Sequence, residues 1–156
     1  MDGFVKAFLK ASLTWLVLGT TGGIAMALYP AWTVYRPAHA HVVVLGFVTM
    51  MIFGVAYHVV PRFTGAPLPS RRTPVVHWAM SNAGLLLLAL GFMARANGVN
   101  WASWLLSVGG ALSALGAYLF SWTIWRTIDA SPLGKTPPRT GPEPVVIGRS
   151  KGHAVT

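Results

Sequence analysis

Four runs of about twenty residues without a single Asp, Glu, Lys or Arg leave this chain few ways to fold. They extend from Ala11 to Tyr29, His41 to Val60, Val75 to Ala94 and Trp101 to Trp125, and the charges sit in short clusters between them. Water is absent from a bilayer core, so a backbone crossing it must satisfy its own N–H and C=O groups, which a helix does within one segment. Composition agrees: 54% of the residues are hydrophobic and 10% charged, with a mean hydropathy of +0.57. A soluble domain carries about 25% charged residues. The prediction is an all-α integral membrane four-helix bundle over residues 1–128, with spans near 4–29, 39–61, 74–95 and 101–126. Lys6 and Lys10 precede the apolar part of the first run, which reads as an uncleaved span because its apolar core is longer than that of a signal peptide.

The net charge of +9 has a topological reading. Lys6 and Lys10 lie before span one, Arg62, Arg71 and Arg72 between spans two and three, and Arg126, Lys135, Arg139, Arg149 and Lys151 after span four. The alternate loops hold Arg36 and Arg95 alone. Cytoplasmic loops collect basic residues, so both termini and the middle loop are predicted to be cytoplasmic, and nucleic acid is not the partner. Residues 129–156, rich in proline, glycine and scattered basic residues, read as a flexible basic cytoplasmic tail able to touch anionic lipid. Trp32, Tyr57, Trp78, Trp101, Trp104, Trp122 and Trp125 fall near predicted span ends, where interface aromatics belong.

Absence of cysteine excludes disulfides, iron–sulfur clusters, thiolate zinc and covalent haem attachment. Absence of Asp and Glu from the spans argues against a carboxylate relay in the membrane. Polar chemistry therefore falls to histidine. His39, His41, His58 and His77 lie in or beside spans two and three, whereas His153 is in the tail. Interfacial placement is the plain alternative for each. At 1.5 Å per residue, His39 and His58 are about 28 Å apart along one helix and serve different sites. His39 and His41 point to roughly opposite faces at about 100° per residue. His58 and His77, on helices joined by a short loop, are predicted to face each other across a ring.

Neutral imidazole is a common axial haem ligand, and helical bundles present such ligands from facing helices. Gly46 lies seven residues after His39, only about 20° away around an ideal helix, and is read as space for a porphyrin. Arg36 at one end and Arg62 at the other are candidate propionate partners, although such arginines also serve orientation. The small residues Gly19, Gly22, Gly23, Gly54, Gly84, Gly91, Gly109 and Gly110 fit two uses, close helix packing or a side-chain-free strip for a flat cofactor.

The segment Arg36-Pro37-Ala38-His39-Ala40-His41, followed by Gly46 and by Tyr57-His58-Val59-Val60-Pro61-Arg62, resembles the second helix of the catalytic subunit of cbb3-type haem–copper oxidases. The family pattern there is close to R-P-V-H-T-N, a glycine seven residues after the histidine, and Y-Y-V-V-Q-R. The first span, with Trp15, Gly19, Gly23 and Ala27 before Pro30, is similar to that subunit's first helix. The resemblance covers residues 5 to 65 and implies that His39 is an axial ligand of a haem b, in a bacterial-type inner membrane. His41 stands where the family has asparagine and His58 where it has tyrosine. The family subunit has many more spans, and its copper-binding histidines lie in helices this chain lacks.

The resulting expectation is a membrane b-type haem protein that carries electrons or binds NO, CO or O2. It has one haem at His39, or two with His58 and His77 as ligands of the second, and does not act as an oxidase alone. No second histidine lies at the depth of His39 except His41, which faces away, so the iron is either five-coordinate or shared in a homodimer. The rival readings are a non-catalytic sensor, assembly or structural subunit of a larger respiratory complex, and a copper-handling protein using His39, His41 and methionine. The last is the weakest, because Met26, Met50, Met51, Met80 and Met93 show no clustered spacing.

Overall fold

The computed structural model describes residues 1–132; the predicted tail lies, from residue 133 onward, outside the described residues. Every described element is helical. In order they are α1 (Gly3–Leu28), a 3₁₀ segment (Pro30–Tyr35), α2 (Arg36–His41), a π-helical segment (Val42–Thr49), α3 (Met50–Thr64), α4 (Thr73–Ala96) and α5 (Ala102–Asp129). The segment from Pro30 to Thr64 is one continuous crossing, so four helical stretches are long and apolar enough to span a membrane. Even the shortest of them, the 24 residues of α4, is about 36 Å long at 1.5 Å per residue, beyond the roughly 30 Å of hydrocarbon.

Punctuation in the sequence sets most boundaries. Pro37 and Pro74 sit in the first turns of α2 and α4, where a missing N–H costs nothing. Gly65 ends α3 at φ 65°, a left-handed conformation open to glycine. The second crossing stays helical through Pro61 to Thr64, since one lost ladder bond in a last turn is tolerable. It is not uniformly α-helical, because eight residues after His41 widen to i→i+5 bonding, with Thr49 Oγ1 also donating to Val44 O, five residues back, at 2.8 Å.

Large apolar side chains point outward along all four crossings, among them Val17, Ile24, Val55, Leu86, Leu115 and Trp125, as a lipid-facing surface requires. Between helices the residues are small. A Cβ on Gly109 would lie 2.7 Å from the Leu88 backbone nitrogen and 2.8 Å from the Gly84 carbonyl oxygen, so α4 and α5 touch backbone to backbone. Van der Waals contact of this kind takes the place of hydrophobic driving force between helices in lipid. The tight core is at one end: Val5 and Phe8 of α1, Met50 and Tyr57 of the second crossing and Leu85 of α4, with Phe53 and Phe120 packed on them. Ser131 Oγ donates to Thr64 O at 2.8 Å, which brings the end of α5 beside the α3–α4 loop, at the end where α1 begins.

Gly46 has a different use from the one expected. A Cβ there would sit 2.7 Å from Trp15 Cβ and 2.8 Å from Leu85 Cδ2, so its surroundings are already filled by α1 and α4.

Candidate functional site: a histidine at an apolar cavity

The end of the bundle opposite the aromatic core is hollow. A cavity of about 470 Å³ lies between the second half of α1, α2 and the second half of α4, within the size range of small-molecule and cofactor sites. Its α1 wall carries Trp15, Gly19, Gly22 and Met26, spaced to lie on one helical stripe. Ala89 and Met93 of α4 face it, and His39 stands at its edge. The 3₁₀ segment covers one end through Trp32 and Tyr35, held down by a hydrogen bond from Asn97 Nδ2 to Tyr35 Oη at 3.2 Å.

His39 is half-buried and leans on the glycines of α1: its Nδ1 is 3.8 Å from the place a Cβ would occupy on Gly22, and its Cε1 3.2 Å from that on Gly23. Nδ1 is buried and has no hydrogen-bond partner. Leaving a buried polar nitrogen unsatisfied costs about 1–3 kcal/mol, so an occupant of this cavity that engages the ring would recover that loss. Trp15 is fixed by donating from Nε1 to Asn82 Oδ1 at 3.0 Å, and Asn82 in turn donates to Trp78 O at 2.8 Å. An asparagine in the middle of an apolar span was itself a legible signal, because an amide in lipid must find a partner.

The other singled-out residues lie elsewhere. His41 faces away from His39, as the 100° step implies: its ring lies 4.6 Å from Phe92, and its Nδ1–H donates to Pro37 O at 2.8 Å. The same bond fixes its tautomer, since a carbonyl only accepts. Arg36 is exposed, three residues before His39 and close enough in sequence to serve a polar group at the cavity mouth. Arg62 belongs to the far end of the crossing, where Nη1 donates to His58 Nδ1 at 2.8 Å and to His58 O at 2.7 Å.

The expected His58–His77 pairing is replaced by another. Tyr57 and His58 are about 100° apart around α3, so only one of them can turn inward, and it is Tyr57. Its hydroxyl meets His77 Nδ1 at 3.1 Å, and Phe8, Phe53 and Phe120 enclose the same imidazole. His77 is therefore fully buried rather than interfacial, as is Tyr57. Trp32, Trp101, Trp104, Trp122 and Trp125 do remain exposed at about half their surface or more, whereas Trp78 is partly buried. Among the described residues no three side chains of His, Asp or Glu converge. Methionine supplies what residue spacing hid: Met26 and Met93, 67 positions apart, line one cavity with His39.

No protein-family model matches the chain. A curated relative, the Cbb3-type cytochrome c oxidase subunit CcoN1 of Stutzerimonas stutzeri, is 27% identical across 81% of this chain. The match occupies 33% of that relative's own length, so the chain spans about a third of it. The similarity supports a distant relationship to cbb3 oxidase subunits over 81% of the chain. With four apolar helices, it supports a multi-pass bacterial membrane protein related to respiration.

Proposed function

We propose that this protein binds a haem b in the cavity beside His39, with His39 as an axial ligand, and serves as a membrane electron carrier or a receptor for a diatomic gas. The single observation behind this reading is the buried, unpartnered Nδ1 of His39 at the edge of an apolar cavity walled by glycine. The chemistry of the residues fits the group. Imidazole suits iron, Gly22 adds no side chain to the cavity wall, Trp15 and Trp32 add aromatic surface, and Arg36 is placed for a propionate. A bound haem would supply one-electron transfer or a site for NO, CO or O2. The chain's own part is to orient the imidazole against Gly22 and Gly23, exclude water with the Tyr35–Asn97 roof, and fix the Trp15 wall through Asn82.

In this reading both termini and the α3–α4 loop face the cytoplasm of a bacterial inner membrane, so the cavity lies toward the external side. One haem is bound per chain, because Tyr57 rather than His58 is turned to His77. Beside His39, a bound haem would meet a diatomic gas, a ligand from a second copy or a larger respiratory complex, or the thioethers of Met26 and Met93, which line the same cavity. Measuring haem per chain and particle mass together on protein purified in mild detergent tests this. One haem per chain is expected, and a colourless protein from haem-replete cells overturns it. The three donors His39, Met26 and Met93 favour one rival specifically, a Cu(I) site, since soft sulfur ligands select that ion. Anaerobic Cu(I) titration of the haem-free chain, with and without Met26→Leu and Met93→Leu, separates the two.

A further inference from the structure

The aromatic end of the bundle holds a second polar arrangement, unconnected to the cavity at His39. A surface cavity of about 200 Å³ opens there, lined by Asp2, Arg62 and Arg71 at its polar rim and by Tyr57. Tyr57 is 1% exposed, and its hydroxyl makes the 3.1 Å hydrogen bond to His77 Nδ1. The other nitrogen of His77, Nε2, is buried and has no partner. It lies 3.8 Å from the position a Cβ would take on Gly116 of α5, and Ser81 Oγ lies 3.1 Å from that same position. Ser81, one turn above His77 on α4, also lines a partly open cavity of about 60 Å³ together with Thr49 and Ser113. Ser113 Oγ is likewise buried without a partner.

The orphaned Ser113 Oγ in a cavity lined with hydroxyls, and the orphaned His77 Nε2 one helical turn from Ser81, are atoms that water would satisfy. Each water occupies about 30 Å³ in the liquid and needs two to four polar partners, so this cavity has room for one or two. Placing polar atoms in lipid without such partners costs several kcal/mol. The residues thus line up by chemistry from the charged rim through Tyr57 and His77 to the hydroxyls in the middle of the bundle.

We propose that Tyr57 and His77 form a proton relay between the surface cavity at the Asp2–Arg62–Arg71 rim and a hydrated cavity between the second crossing, α4 and α5. A proton delivered by rim water to Tyr57 Oη releases the hydroxyl proton along its hydrogen bond to His77 Nδ1. The Nε2–H proton then leaves to water of the hydrated cavity. One proton enters, one leaves, no electron moves, and the ring is left as the Nδ1–H tautomer until the reverse passage restores it. Histidine suits this role because its two nitrogens donate and accept in alternation. The chain needs no intramembrane carboxylate for it.

The test is independent of any haem. The full chain, labelled with ¹⁵N-histidine and held in lipid bilayers, gives a His77 ring N–H signal identified by its loss in His77→Gln. The relay predicts a magnetisation-transfer cross-peak from water to that N–H, and exchange into D2O slowed on the order of tenfold or more in Tyr57→Phe. A Tyr57 that only packs would predict the opposite sign, since loosening a core speeds exchange. Absence of the water cross-peak in the unaltered chain overturns the proposal, and so does a Tyr57→Phe rate equal to or faster than wild type. Ser113→Ala should weaken the water cross-peak, and an unchanged cross-peak in that variant places the water outside the hydrated cavity and also refutes it.

Discussion

Gly109→Ala and Gly22→Ala are the same chemical change on two glycine-bearing helices, yet the structure assigns them opposite outcomes. A Cβ on Gly109 would stand 2.7 Å from the Leu88 nitrogen, 2.8 Å from the Gly84 carbonyl oxygen and 3.0 Å from Leu87 Cβ. Two of these are backbone atoms that no rotamer change can move, so α4 and α5 must separate by several tenths of an ångström along their contact. Overpacking of this kind costs roughly 1–3 kcal/mol, against a helix-propensity gain near 1 kcal/mol for replacing glycine by alanine. Since the clash is with backbone, the upper half of the range applies, and the net loss is about 1–2 kcal/mol. At Gly22 the nearest atom is His39 Nδ1, at an ordinary 3.8 Å, so only the propensity gain remains. Equilibrium unfolding in mixed micelles of mild detergent and dodecyl sulfate reads the difference. Gly109→Ala as stable as wild type, or Gly22→Ala the less stable of the two, would refute the division of glycines into packing and cavity-lining sets.

Trp15→Phe and Asn82→Ala each remove the 3.0 Å bond between α1 and α4, and each should cost about 1 kcal/mol in the same assay, with a double variant less destabilised than the sum. Reporter enzymes fused after Arg72 and at Thr156 should both be active in the cytoplasm and one after Arg95 outside; an external signal at Thr156 contradicts the charge-based orientation. His58→Ala should leave any bound haem in place, because that ring is engaged with Arg62 at the far end of the crossing from His39, and a lost spectrum would restore His58 as a ligand.

The number of crossings was legible because long uncharged runs admit one solution in lipid, and Pro74 marks the start of α4. The opposition of His39 and His41 was legible, since a step of two residues is a rotation of about 200°. What escaped depended on contacts between helices or on departures from ideal winding. The π-helical turn after His41 carries no residue signature, and the space beside Gly46 is filled by Trp15 and Leu85 from two other helices. The choice between Tyr57 and His58 for the interior turned on a rotation of one residue, and two polar aromatics side by side do not decide it. Met26 and Met93 are far apart in sequence and meet at one cavity only because α1 and α4 are neighbours there.

The most direct test of the account is the reduced-minus-oxidised absorption spectrum of detergent-purified wild type, His39→Ala and His41→Ala, each expressed with ample haem supply and normalised to protein. A b-type spectrum in wild type, retained in His41→Ala and lost in His39→Ala, is the predicted result. Equal haem spectra in wild type and His39→Ala, or no haem in any of the three, would contradict it.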